Sequence, residues 1–134
     1  MKLRMELAQE FVIGGYTPGD HGIDALLVGF YRGKALHFCA SVRNGFIPVT
    51  RRQVHAQLQP LRTNICPFVN LPEKNPGRWG QGLTVAKMRS CVWLRPEAVA
   101  QFRFLEWTHA DHLRHASFAG QREDKDPKKV VKEV

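Results

Sequence analysis

Helical membrane spans are missing from this sequence. None of its 134 residues falls in an apolar run of eighteen or more, the length a spanning helix needs. The N-terminal MKLRMELAQEF holds no apolar stretch of the kind a signal peptide requires, so none is expected. Cysteine is scarce. Cys39, Cys66 and Cys91 are an odd set without CxxC spacing, which argues against a disulfide framework and against a zinc ribbon, and points to a reducing, cytoplasmic setting. No internal repeat is present, and no basic helix with a broad apolar face, so a membrane-surface role ranks last. Nucleophile elbows of the GxSxG type are absent, and no cysteine has a persuasive histidine partner. GRWGQGLT (77–84) is glycine-rich but does not follow GxxxxGK[ST], and no strand leads into it, so it is a weak phosphate cradle.

What remains is material for one soluble-type core and a surplus of positive charge. Hydrophobic residues make up 43% of the chain, enough to fill the interior of a single domain. Twenty Lys and Arg against twelve Asp and Glu give a net charge of +8, a balance that favours polyanions such as nucleic acid or nucleotide phosphates.

Strand signals dominate the first third. QEFVIGGYT (9–17), DALLVGFYR (24–32) and KALHFCASVRN (34–44) are β-rich, and Gly33-Lys34 marks a tight hairpin. Gly14-Gly15 and Gly29 lie inside these patterns, where glycine marks the bulges and bends of a small closed barrel. The period then changes. Thr50 is the expected cap of a helix over Arg51–Leu61, with Val54, Leu58 and Leu61 along one face and Pro60 ending or kinking it. Residues 64–82 read as irregular, and Thr84 as the cap of one helical turn, VAKMRS. Strands resume with CVWLR (91–95), AVAQFRFLEWT (98–108) and, after the turn HADH, LRHASFAG (113–120). The tail DPKKVVKEV reads as a short helix or as frayed chain. Three strands, a helix, then two or three strands predict a mainly β protein, an OB-fold five-stranded Greek-key barrel with a helix between strands 3 and 4.

Three features could carry chemistry. His109, His112 and His115 crowd into WTHADHLRH, but flanking strands alternate faces and no cysteine is adjacent, so no metal is expected. Basic residues are interleaved with Phe11, Tyr16, Phe30, Tyr31, Phe38 and Trp79. That mixture suits either a face for a nucleic-acid backbone or an ordinary core with a solvated surface. The third is REDK (122–125). Arg122 offers a planar fork for two phosphate oxygens and Lys125 a point charge. Glu123 and Asp124 would keep the pair oriented and offset its self-repulsion. The run is open to two readings, a solvated turn or a grip on polyphosphate.

Taken in order, several segments resemble the C-terminal OB-fold domain of ATP-dependent DNA ligases, particularly the bacterial ligases associated with end joining. QEFVIGGYTPG (9–19) resembles the opening of that domain, and GIDALLVGFYRGKALHFCASVRNGF (22–46) its second and third strands. CPFVNLPEKNPGRWGQGLTVAKM (66–88) and VWLRPEAVAQFRFLEWT (92–108) follow the same pattern. LRHASFAGQREDKDP (113–127) resembles the last strand and motif VI, whose core is RxDK. Met1 to Arg4 resembles the tail of motif V. Two positions depart from the family: Ser41 stands where a lysine is frequent, and Arg43 where glycine is common.

The resemblance implies three parts: the end of a linker over 1–8, an OB domain over 9–127 and a charged tail over 128–134. It implies a ligase that uses ATP and Mg2+, adenylylates a lysine, transfers AMP to a DNA 5′-phosphate and seals a nick, in repair or end joining. Arg122, Lys125 and Asp124 would act on the pyrophosphate of ATP, and Lys2 and Arg4 would bind the nucleotide. Arg43, Arg51, Arg52, Arg78 and Lys87 would face duplex DNA. The family's nucleophilic lysine sits in KxDG, a motif this sequence lacks, so the chain alone is expected to bind no cofactor and to be inactive. Its expected partners are nicked or broken duplex DNA and a nucleotidyltransferase domain, with no membrane contact, and the chain is expected to be a monomer. The rival reading is a stand-alone OB module that binds single strands by stacking, which would require exposed aromatics on the barrel.

Overall fold

The computed structural model describes residues 7–71, 88–109, 111–122 and 125–132. Strands β1 (Leu7–Gly19), β2 (Gly22–Arg32) and β3 (Ala35–Val42) form an antiparallel meander. Gly33 and Lys34 make the two-residue turn between β2 and β3, with Gly33 at φ +66°. Both glycine sites read from the sequence fall at irregularities of the ladder. The register shifts at Gly14, between Ile13 and Gly15, and again between Val28 and Gly29. Such shifts add the local twist a barrel needs.

The helix α1 covers Pro48–Leu58 and continues as a 3-10 turn over Gln59–Leu61. It therefore starts earlier than expected. Pro48 supplies the first turn, where its missing N–H is no loss, and Ile47 rather than Thr50 is the cap residue, with no side-chain cap bond. Val54 and Leu58 point inward. The short strand β4 (Arg62–Thr63) follows.

Strand β5 (Val92–Phe104) replaces two strands expected on either side of Pro96. The chain passes through the proline because the β1–β5 ladder breaks there. Pairing steps from Ile13–Ala98 to Gly15–Trp93, leaving residues 94–97 opposite Gly14. No ladder bond to β1 is required of Pro96, as strand prolines demand. β5 pairs with β1 on one side and with β4 and then β8 (Ser117–Arg122) on the other. The two-residue strands β6 (Glu106–Trp107) and β7 (Leu113–Arg114) form a small hairpin between β5 and β8.

A bridge between Asn44 and Ser117 closes the barrel, with the Phe118 N–H donating to the Asn44 carbonyl at 2.8 Å. Inside, Phe11 is the hub. Its ring lies 6.0 Å from Phe102, 5.9 Å from Phe104 and 5.8 Å from Trp107, all tilted or edge-on. Asn70 extends the sheet without a strand: its side chain accepts from Phe38 N–H and donates to Phe38 C=O. The turn read at 84–90 lies outside the described residues apart from Met88 to Ser90. Of the two readings open for the tail, the structure shows the ordered one, a 3-10 turn over Pro127–Lys129.

Gly45 tests the closure. It sits at φ +92°, and a Cβ there would run into the backbone of Phe118. Gly33 also has positive φ, but open space surrounds its missing Cβ. Gly45→Ala is expected to lower stability by more than about 2 kcal/mol in urea unfolding, and Gly33→Ala by about 1 kcal/mol, the left-handed term alone.

Candidate functional site

Arg122 is the last residue of β8 and pairs with Val99 of β5. Lys125 follows two residues outside the described set and is held by what comes next. Asp126 caps the 3-10 turn by accepting from Lys128 N–H at 3.0 Å. The chain then runs back across the barrel as a strap. Tyr31 N–H donates to the Val130 carbonyl at 2.7 Å, Gln9 Nε2 donates to the Val131 carbonyl at 2.7 Å, and Val130 is buried.

These supports bring Arg122 and Lys125 to one carboxylate. Arg122 Nη1 lies 3.8 Å from Glu10 Oε2, and Lys125 Nζ lies 4.0 Å from Glu10 Oε1. Glu10 belongs to β1, on the other side of β5 from β8, where it pairs with Gln101. Both cations are partly open to solvent, at 41% and 36% side-chain exposure. Two N–H-rich groups converge on one point that an anion can reach. Asp124 lies outside the described residues, as do Lys2 and Arg4.

The second group lies where α1 meets the β1–β2 turn. Arg51 is turned into the fold. Its guanidinium donates to the carbonyls of Ile23 and Asp24 through Nη1 and of Arg43 through Nη2, and it lies 4.9 Å over the Phe46 ring. Phe46 in turn stacks on Phe118 at 4.6 Å. Arg51 is thus a brace between the helix, the end of β3 and the last strand. Arg43 and Arg52 are exposed. Arg43 Nε pairs with Asp24 at 3.0 Å, and Arg52 Nη1 lies 3.3 Å from His21 Nδ1. Arg78 and Lys87 lie outside the described residues.

Three polar features had no signal in the linear pattern. The first is Glu10. The second is Asp111, a left-handed residue at φ +59° in the β6–β7 turn, which receives Arg32 Nη2 at 2.9 Å and Lys132 Nζ at 2.8 Å. The third is Lys132 itself, which also lies 5.0 Å over Trp107. Of the histidines, His112 is buried edge-on to Phe38 at 5.7 Å, while His109 and His115 are exposed. Burial pushes the Cys39 thiol well above its ordinary range, and the charge of Asp111 adds to this.

The model of the family described as "ATP dependent DNA ligase C terminal region" matches residues 19–125. The chain belongs to this family. It is 32% identical over 139 residues to the multifunctional non-homologous end joining protein LigD of Pseudomonas aeruginosa, covering 99% of this chain and 15% of that protein. It is 34% identical over 129 residues to the multifunctional non-homologous end joining DNA repair protein LigD of Mycobacterium tuberculosis, covering 93% of this chain and 16% of the relative. The crystal structure of the ligase domain from M. tuberculosis LigD superposes with a TM-score of 0.79 at 30% identity, over 96% of this chain and 39% of that one. A mycobacterial DNA ligase D complexed with ATP and MES gives 0.76 at 31% identity, over 95% and 38%. The chain therefore spans about a sixth of the length of its curated LigD relatives.

The Asp111 clasp yields a pH prediction. Hydrogen bonds from Lys132 and then Arg32 hold its carboxyl below the usual carboxylate range. A depressed carboxylate contributes stability above its unfolded pKa and loses it as pH falls through the folded one. Asp111→Asn keeps a residue tolerant of positive φ. It is expected to cost about 1 kcal/mol at pH 7, the scale of two exposed pairs, with the gap from wild type narrowing as unfolding is measured from pH 4 downward.

Proposed function

We propose that this chain is the OB domain of an ATP-dependent DNA ligase acting in repair or end joining, with two tasks. During adenylylation of a lysine in a nucleotidyltransferase domain, Arg122 and Lys125 orient the pyrophosphate of ATP. During sealing, the exposed edge that carries Arg43 and Arg52 lies on duplex DNA beside the nick. The observation that carries the first task is the convergence of both cations on a single carboxylate. The same convergence on a polyphosphate would align the leaving group and offset its developing charge, which is positioning plus electrostatic stabilisation. The N–H donors of this cluster suit the phosphate oxygens of ATP and not its Mg2+. Membership of the ligase family and the similarity to a ligase complexed with ATP support the reading.

A single-strand-binding module is less well supported. Stacking needs exposed rings, yet Phe11 is 0% exposed, Phe30 and Phe38 are 1% and Tyr16 is 3%. Trp79 lies outside the described residues.

Two experiments test the reading. The chain alone is expected to form no adenylate with radiolabelled ATP. Joined to a nucleotidyltransferase domain of this family, it is expected to support adenylylation. Arg122→Ala or Lys125→Ala should slow that step by roughly 10²–10³-fold, the range for one preorganised charge-stabilising group. Both should largely spare the sealing of pre-adenylated nicks, because pyrophosphate has left by then. Equal losses in the two assays would remove the pyrophosphate role. For DNA, Arg52→Ala should weaken duplex binding evenly across sequences and reduce the salt slope by about one. Arg51→Ala should act mainly through stability, lowering the melting temperature. The opposite pattern would reverse their assignments.

A further inference from the structure

The carboxylate between the two cations is placed oddly for a structural ion pair. Glu10 Oε2 is buried and has no hydrogen-bond donor among the described residues. Arg122 Nη1 at 3.8 Å and Lys125 Nζ at 4.0 Å are close enough to be attracted but beyond hydrogen-bond length. A carboxylate oxygen left without a donor forfeits much of what the pair could contribute. Its backbone is fixed, because Glu10 sits within β1, paired with Gln101.

We infer that Glu10 is a positioning residue that stands in for phosphate, occupying the convergence point of Arg122 and Lys125 when no polyphosphate is bound and competing with pyrophosphate for them. The inference rests on the phosphate reading of these two cations and adds a consequence for release. A carboxylate at the convergence point weakens the hold of the two cations on a departing polyanion. Glu10 supplies one there and so lowers retention. The loose contact suits this use, since a short, fully hydrogen-bonded pair would resist displacement. No bond is made or broken in the exchange.

The test titrates inorganic pyrophosphate, without divalent metal, into the 134-residue chain by calorimetry, with circular dichroism as the check on folding. Glu10→Gln is expected to bind about tenfold more tightly than wild type, the scale of one like charge removed from the edge of an anion site. Adding Arg122→Ala or Lys125→Ala should abolish that gain. Should Glu10→Gln fail to fold, Glu10→Asp, which withdraws the charge by one methylene, is expected to give a smaller gain of about threefold. No gain in whichever variant folds overturns the inference. If Glu10→Gln binds no more tightly while Arg122→Ala and Lys125→Ala bind more weakly, Glu10 is only a bracket and the phosphate reading stands. If Arg122→Ala and Lys125→Ala leave affinity unchanged in the Glu10→Gln background, pyrophosphate sits elsewhere and both readings fail. An absence of binding by Glu10→Gln at millimolar pyrophosphate also overturns the inference, leaving the phosphate reading to the adenylylation comparison.

Discussion

The pairing of β1 with β5 is the constraint on which the charged cluster depends. β5 is paired with β1 from Leu7–Phe104 down to Ile13–Ala98, and over the same stretch its other edge takes β8. That double pairing puts Glu10 and Arg122 on either side of one strand although they lie 112 positions apart in sequence. Registers are hard to slip here. A shift of one residue would turn Phe11, Phe102 and Phe104 out of the core, and these rings are 0%, 0% and 2% exposed. Core packing thus holds an arrangement of surface charges that surface interactions could not hold by themselves.

Much of the architecture was legible because the signals were local. The Gly33-Lys34 turn, the glycine bulges and the β-rich runs each encode their own geometry. Structure departs from local signal where a partner decides. Pro96 looks like a strand break in one dimension, yet on the β1 side it falls in a stretch that faces only Gly14, so the strand continues through it. Thr50 is the expected helix start because threonine caps helices, while Pro48 already meets the requirement of a first turn. Arg51 and Arg52 are adjacent cations with the same expected role. They are about 100° apart around a helix, and Arg51 shares the face of Val54 and Leu58 at spacings of three and seven. That spacing was visible in the sequence and points Arg51 toward the barrel.

The candidate site was half legible. Arg122 and Lys125 lie in one short motif, so their proximity is a local fact. Glu10 is an unremarked strand residue until β1, β5 and β8 are placed side by side. The strap was the other hidden element. Its charge pattern suggests solvated chain, but Val130 is 2% exposed and three hydrogen bonds or ion pairs tie residues 130–132 to Gln9, Tyr31 and Asp111. Burial of one valine in a charged tail gives no periodic signal. The strap matters to the site because it begins directly after Lys125.

Among the described residues the same triad occurs twice, one carboxylate facing one arginine and one lysine, and the two differ in distance rather than in composition. Around Asp111 the nitrogens are at 2.8 and 2.9 Å and each oxygen has its donor. Around Glu10 they stand at 3.8 and 4.0 Å, and one buried oxygen has no donor among the described residues. Charge-assisted hydrogen bonds strengthen steeply as they close to 2.7–2.9 Å, so the first triad is a closed clasp that fixes the strap to the β6–β7 turn. The second has Coulomb attraction without hydrogen bonds. Attraction of that kind holds cations near a point and yields readily to a ligand with more charge and freer geometry. A polyphosphate has both. The closed triad therefore supplies the rigid frame, and the open one, mounted on that frame, keeps the capacity to exchange partners.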